Sequence, residues 1–189
     1  MNTAIVRQHV TGTSPSLRAR IAGIFYLLTF VTGILALVSA NGKVAANLAA
    51  TACYVTVILL FDRLFKPVDR NFSLLAVCFG LAGCAFGALS MFRTTPFPIN
   101  SLVYFGFYCL LIGYLIFKST FLPRILGAGM ALAGLGWLTF ASTGLTKFLT
   151  PYNTIPGIVG EGALTLWLVV MGVNAERWNQ QAGLMGRRV

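Results

Sequence analysis

Acidic residues and histidine are scarce: Asp and Glu together number 4, and His 1, in 189 residues. Four scattered carboxylates leave too few oxygen donors for a carboxylate metal cage. The single His9 stands in a polar N-terminal stretch, so no apolar segment holds an imidazole. The G-x-S-x-G, H-E-x-x-H and glycine-rich phosphate signatures are also missing, which leaves catalysis, metal binding and cofactor binding without support. Charged residues make up only 10% of the chain. Soluble domains carry about 25%, so a solvated globular surface is excluded. The four cysteines, Cys53, Cys78, Cys84 and Cys109, follow no metal or redox spacing and read as small apolar packing residues.

Apolar residues fill the space left by the charges, at 57% of the chain with a mean hydropathy of +0.82. Six runs are each long enough for the ~20 residues that cross a bilayer core: 21–40, 44–65, 72–92, 101–119, 125–146 and 157–174. They are continuous rather than alternating, so helices are expected and a membrane barrel is not. The predicted fold is all-α, a polytopic bundle of six transmembrane helices. Residues 1–17 are expected to form a flexible cytoplasmic arm, residues 18–178 the membrane domain and residues 179–189 a basic cytoplasmic tail.

The net charge of +10 sits at the ends of these runs. With the N-terminus inside, eleven of the fourteen basic residues fall on one side; Lys43, Arg93 and Lys147 fall on the other. Basic residues concentrate in cytoplasmic loops, which puts both termini in the cytoplasm of a cell that carries this protein in its plasma membrane. Anionic lipid head groups satisfy such a rim, so nucleic acid is not an expected partner.

Glu161 is a carboxylate inside the last apolar run, and an ionisable group within a span marks a functional site by default. It is expected about four residues, or ~6 Å, inside the span. Other polar side chains recur at helical spacing in the same half: Asn47, Thr51 and Tyr54 on the second span, Tyr104 and Tyr108 on the fourth, and Thr165 one turn after Glu161. Together with Arg93 they form a candidate pocket. The competing reading is interhelical hydrogen bonding, with Glu161 paired to Arg93. Trp137 and Trp167 are expected to pack or to face lipid. Gly80, Gly83 and Gly87, and then Gly127, Ala131, Gly134 and Gly136, are expected to let helices approach closely.

Three stretches carry a family resemblance: Leu60 to Arg70, Leu110 to Gly127 (including Leu122-Pro123-Arg124-Ile125-Leu126-Gly127), and Val159-Gly160-Glu161 with Leu166 to Asn174. Over roughly residues 18 to 178 the chain resembles the bacterial membrane family catalogued as domain of unknown function 4386. The resemblance implies the fold and the threading but no activity. Where the family often has a histidine before the fourth-span cysteine, this chain has Tyr108. The expected function is therefore that of a non-enzymatic membrane protein which binds or passes a small polar or amphipathic molecule beside Glu161. The alternative is an accessory protein acting through helix packing with a membrane-protein partner or a second copy.

Overall fold

The computed structural model describes residues 14–39, 42–92 and 99–186. Eight helices follow one another: α1 (Pro15–Val38), α2 (Lys43–Phe65), α3 (Arg70–Ser90), α4 (Ser101–Lys118), α5 (Arg124–Leu138), α6 (Thr143–Leu149), α7 (Ile155–Val170) and α8 (Ala175–Gly186). Among the described residues there is no strand. Six segments are long and apolar enough to cross a membrane, the last two being Arg124–Ala141 and Tyr152–Val170, each of which includes a 3-10 turn. The chain is a multi-pass membrane protein.

Local chemistry explains where the helices begin. The Ser14 hydroxyl accepts from the Leu17 amide at 3.2 Å, with Pro15 in the first turn, so α1 starts well before the apolar run does. Asp69 caps α3 through the Phe72 amide at 3.3 Å, and Asn100 caps α4 through Leu102 at 3.0 Å. α7 stops at Gly172, whose φ of +66° is a left-handed turn that suits glycine. A Cβ there would also lie 2.8 Å from the Ser16 hydroxyl of α1.

The six long helices form a closed ring in the order α1, α2, α3, α4, α5, α7, with α7 returning to α1. Lipid offers apolar side chains as good a solvent as the bundle does, so close fit and polar contacts hold such a ring. The glycines divide into two kinds. On α5, Gly127 and Gly134 meet the backbone of α4: a Cβ would stand 2.9 Å from the Gly113 carbonyl at the first and 2.7 Å from the Gly106 carbonyl at the second. Gly160 of α7 lies directly on Gly129 of α5. On α3, Gly80 and Gly83 instead receive large side chains, Ile58 with Tyr108 at one and Phe105 at the other. The third α3 glycine, Gly87, has room, with Ser101 at ordinary contact distance.

One end of the ring is rich in cations: Arg18, Arg20, Arg63, Lys66, Arg70, Lys118, Arg124 and Arg177. We call it the basic end. The opposite, cavity end carries Lys43 and Lys147 among the described residues. At the basic end the interior is filled by Phe61, Phe65, Leu115, Ile116, Phe121 and Leu168, all buried. A salt bridge between Lys118 and Asp69 at 2.9 Å ties α4 to the start of α3. It holds the Asp69 carboxyl below the usual carboxylate range, chiefly through the hydrogen bond from Lys118.

Three expectations change. The fifth run does not continue as a helix to 146: α5 ends at Leu138, and a 3-10 turn and the short α6 follow. The segment after 174 forms a further helix, so the boundary expected at 178/179 falls inside α8. This amphipathic helix is fastened to the basic end. The Trp178 indole donates to the Leu64 carbonyl at 2.9 Å, and Gln181 accepts from the Thr120 amide and hydroxyl, both at 3.1 Å. The expected cytoplasmic arm, residues 1–17, lies outside the described residues up to 13, and its last three residues already belong to α1.

Candidate functional site

Glu161 follows the start of α7 by six residues, which is about 9 Å along the axis. It is therefore deeper than the sequence suggests, because Ile155 and Pro156 join the helix ahead of the apolar run. Its carboxylate is buried and turned into the ring. The Trp137 indole donates to Oε1 at 2.6 Å and the Tyr26 hydroxyl donates to Oε2 at 2.6 Å. The Cys109 thiol lies 3.6 Å from Oε1. Tyr26 stands 3.4 Å from the Tyr54 hydroxyl, which extends the network to α2. Five helices thus contribute to one cluster.

Tyr26 is near the middle of α1 and fully buried. A buried tyrosine hydroxyl needs a partner, and Glu161 provides it. Trp137 reaches the carboxylate because α7 carries Gly157 one turn earlier: the indole lies flat against that glycine, where any Cβ would overlap it. Gly160 on Gly129 brings the two backbones close enough for this reach.

Beside the cluster is a partly open cavity of about 210 Å³. Asn47, Ala50, Thr51 and Tyr54 of α2 line one side; Leu102, Phe105, Trp137 and Glu161 line the other, with Thr29 and Cys84 between them. Most of the wall is apolar or aromatic. Among the described residues no Lys or Arg lines the cavity, and no Lys or Arg nitrogen lies within 4 Å of Glu161. The described residues contain no group of His, Cys, Asp or Glu able to hold a metal ion.

Of the residues singled out by sequence, Glu161, Asn47, Thr51 and Tyr54 come together on the cavity. Asn47 and Thr51 also donate to their own helix, to the carbonyls of Lys43 and Asn47 at 2.9 and 2.8 Å. The other three described candidates do not line it. Thr165 is buried and donates to the Glu161 carbonyl at 2.7 Å within α7. Tyr108 is buried behind Tyr54, ring centroids 5.8 Å apart, with its hydroxyl unpartnered within the structure. Tyr104 stacks on Phe86 of α3, centroids 5.0 Å apart. Arg93 lies outside the described residues. Trp137, expected to pack or face lipid, holds the carboxylate instead. Tyr26 carried no helical-spacing signal. Its mid-span position on the first helix was the available clue.

The family model described as "Domain of unknown function (DUF4386)" matches residues 99–172. Over this segment the chain resembles the DUF4386 family. The matched segment runs from α4 to the Gly172 turn and so includes Cys109, Trp137, Gly157 and Glu161. Tyr26 and Tyr54 are contributed from outside it. An uncharacterized protein of the archaeon Archaeoglobus fulgidus is 27% identical over 124 residues, which is 62% of this chain and 76% of the relative. No solved structure matches this chain.

Proposed function

We propose that this protein binds a small polar or amphipathic molecule in the cavity beside Glu161. The observation behind the reading is a buried carboxylate, held from one side by Trp137 and Tyr26, on the wall of a largely apolar cavity. Few polar groups set in an apolar concave wall is the usual composition of a small-molecule site. The volume suits a molecule of modest size: an engineered cavity of about 150 Å³ takes up benzene. An accessory role through helix packing would leave Glu161 consumed in a filled contact, and the open space beside it speaks against that. The excess of cations at the basic end favours a cytoplasmic position for that end, and thus a cavity on the far side of the membrane.

A probe of matching size and mixed polarity tests the reading. Benzyl alcohol should raise the Tm of the purified protein in nanodiscs. In Ala50→Trp, whose indole would occupy the cavity, the apo Tm should stay near wild type and the ligand-induced rise should vanish. Equal shifts in both proteins would mean that the alcohol acts on the lipid, and the reading would fall.

A further inference from the structure

Among the described residues no cation pairs with Glu161. A buried carboxylate is costly unless a cation pairs with it. Here the two short hydrogen bonds come from neutral groups, and none of the described residues that line the cavity is basic. Lys43 and Lys147, the described cations at this end, are both exposed. Glu161 lines the cavity, with Tyr26, Trp137 and the Cys109 thiol around its carboxylate. Three aromatic rings, Tyr54, Phe105 and Trp137, form walls beside it. Aromatic faces attract cations, most strongly where water is excluded, and a quaternary ammonium needs no hydrogen-bond partner of its own. Asn47 and Thr51, the polar lining residues on α2, already donate to their own helix, so the cavity offers little to a neutral polar head. An anion would face the Glu161 charge with nothing to offset it.

We propose that the cavity accepts a monovalent organic cation, an ammonium head on a small aromatic or alkyl body, with Glu161 as its counter-ion and Tyr54, Phe105 and Trp137 as the box around the head. This rests on the reading that the cavity is a binding site, and it adds the class of ligand. Trp137 and Tyr26 then have a defined task. They fix the carboxylate so that its free lone pairs point at the incoming charge.

Three probes of similar size separate the two ideas in the wild-type protein: benzyltrimethylammonium, benzyl alcohol and benzoate. Titration calorimetry in nanodiscs should show benzyltrimethylammonium binding at least tenfold more tightly than benzyl alcohol, and no heat with benzoate. Glu161→Gln keeps the shape and a hydrogen-bond acceptor, and should weaken the cation at least tenfold. Ala50→Trp should remove the binding of both. If benzyl alcohol binds as well as the cation, or benzoate binds too, the cation inference is overturned while the cavity reading survives. If none of the three binds and none raises the Tm, both are overturned. The ranking of the probes on the wild type needs no variant to fold, so a Glu161→Gln protein that aggregates would not rescue the idea.

Discussion

The two ends of the bundle use the same six helices in opposite ways. At the basic end the axis of the ring is filled by aromatics, Phe61 edge-on to Phe65 at 5.7 Å and Phe65 tilted on Phe121 at 6.0 Å between centroids. α8 is fastened there through Trp178, and a separate, partly open pocket of about 390 Å³ lies at the rim between the α4–α5 turn and the end of α7. At the cavity end the corresponding layer is made of Tyr54, Phe105, Trp137 and Glu161, and a space of about 210 Å³ is left beside it. Tyr26 marks the border, touching Phe61 on one side and Tyr54 on the other at 6.0 and 5.4 Å. The axis of the ring is filled at the basic end, and the buried carboxylate with its hydroxyl partners stands where the cavity-end interior opens.

Emptying the filled half should give the largest effect. Phe61→Ala should destabilise the protein by about 3 kcal/mol, because the vacated volume is walled by rigid neighbours; reversible unfolding in mixed micelles would measure it. In the open half, Ala50→Trp should cost little, and a loss comparable to Phe61→Ala would erase the distinction between the halves. Next comes the carboxylate itself. Glu161→Ala leaves the Tyr26 hydroxyl and the Trp137 indole without an acceptor, at about 1–3 kcal/mol, whereas Glu161→Gln should lose well under half of that. Equal losses would show that charge rather than hydrogen bonding holds the cluster together. Trp178→Phe should cost about 1 kcal/mol through the lost bond to Leu64, and hydrogen exchange should reveal faster opening confined to α8 and the end of α2.

The smallest effect belongs to Asp69 and Lys118 at the exposed rim. The folded carboxyl titrates below its unfolded value. Its contribution is therefore present above the ordinary aspartate range and is lost as pH falls through the lower folded value. Thermal unfolding from pH 6 down to pH 2 should show this loss in the wild type. Asp69→Asn keeps the α3 cap and should flatten that part of the profile; an unchanged slope would assign the acid sensitivity to another group.

Much of this was legible from residue order. Long apolar runs and their basic flanks determine six spans, since bilayer thickness and loop charge act on short windows of sequence. Glu161 was legible for the same reason, as a local violation of an apolar run. Its partners were not. Nothing near Trp137 or Tyr26 in the chain distinguishes an inward aromatic from a lipid-facing one, because in a membrane both faces of a helix are apolar. The informative residue was Gly157, whose missing side chain decides where the indole lies, but it reads as an ordinary packing glycine until α5 and α7 are seen together. Thr165 and Tyr104 show the limit of periodicity: Thr165 shares a helix side with Glu161 yet bonds its own helix, and Tyr104, on the side of the buried Tyr108, stacks on Phe86. The break after Leu138 is marked by Thr139 and by Ser142-Thr143-Gly144, short polar and flexible residues that an apolar count over the whole run passes over.

The closed ring has a consequence for how the chain is made. The first three spans have hydropathies of 2.4, 2.0 and 2.1, and the last two only 1.3 each. The strongly apolar spans emerge first from the ribosome and need no help to enter lipid. The weakly apolar span with Glu161 emerges last, when Tyr26, Cys109 and Trp137 are already in the membrane. Its carboxylate meets hydrogen-bond donors rather than bare hydrocarbon. The order of the spans thus lets the earlier helices offer donors to the later one, and loss of α1 would leave Glu161 without the Tyr26 hydroxyl.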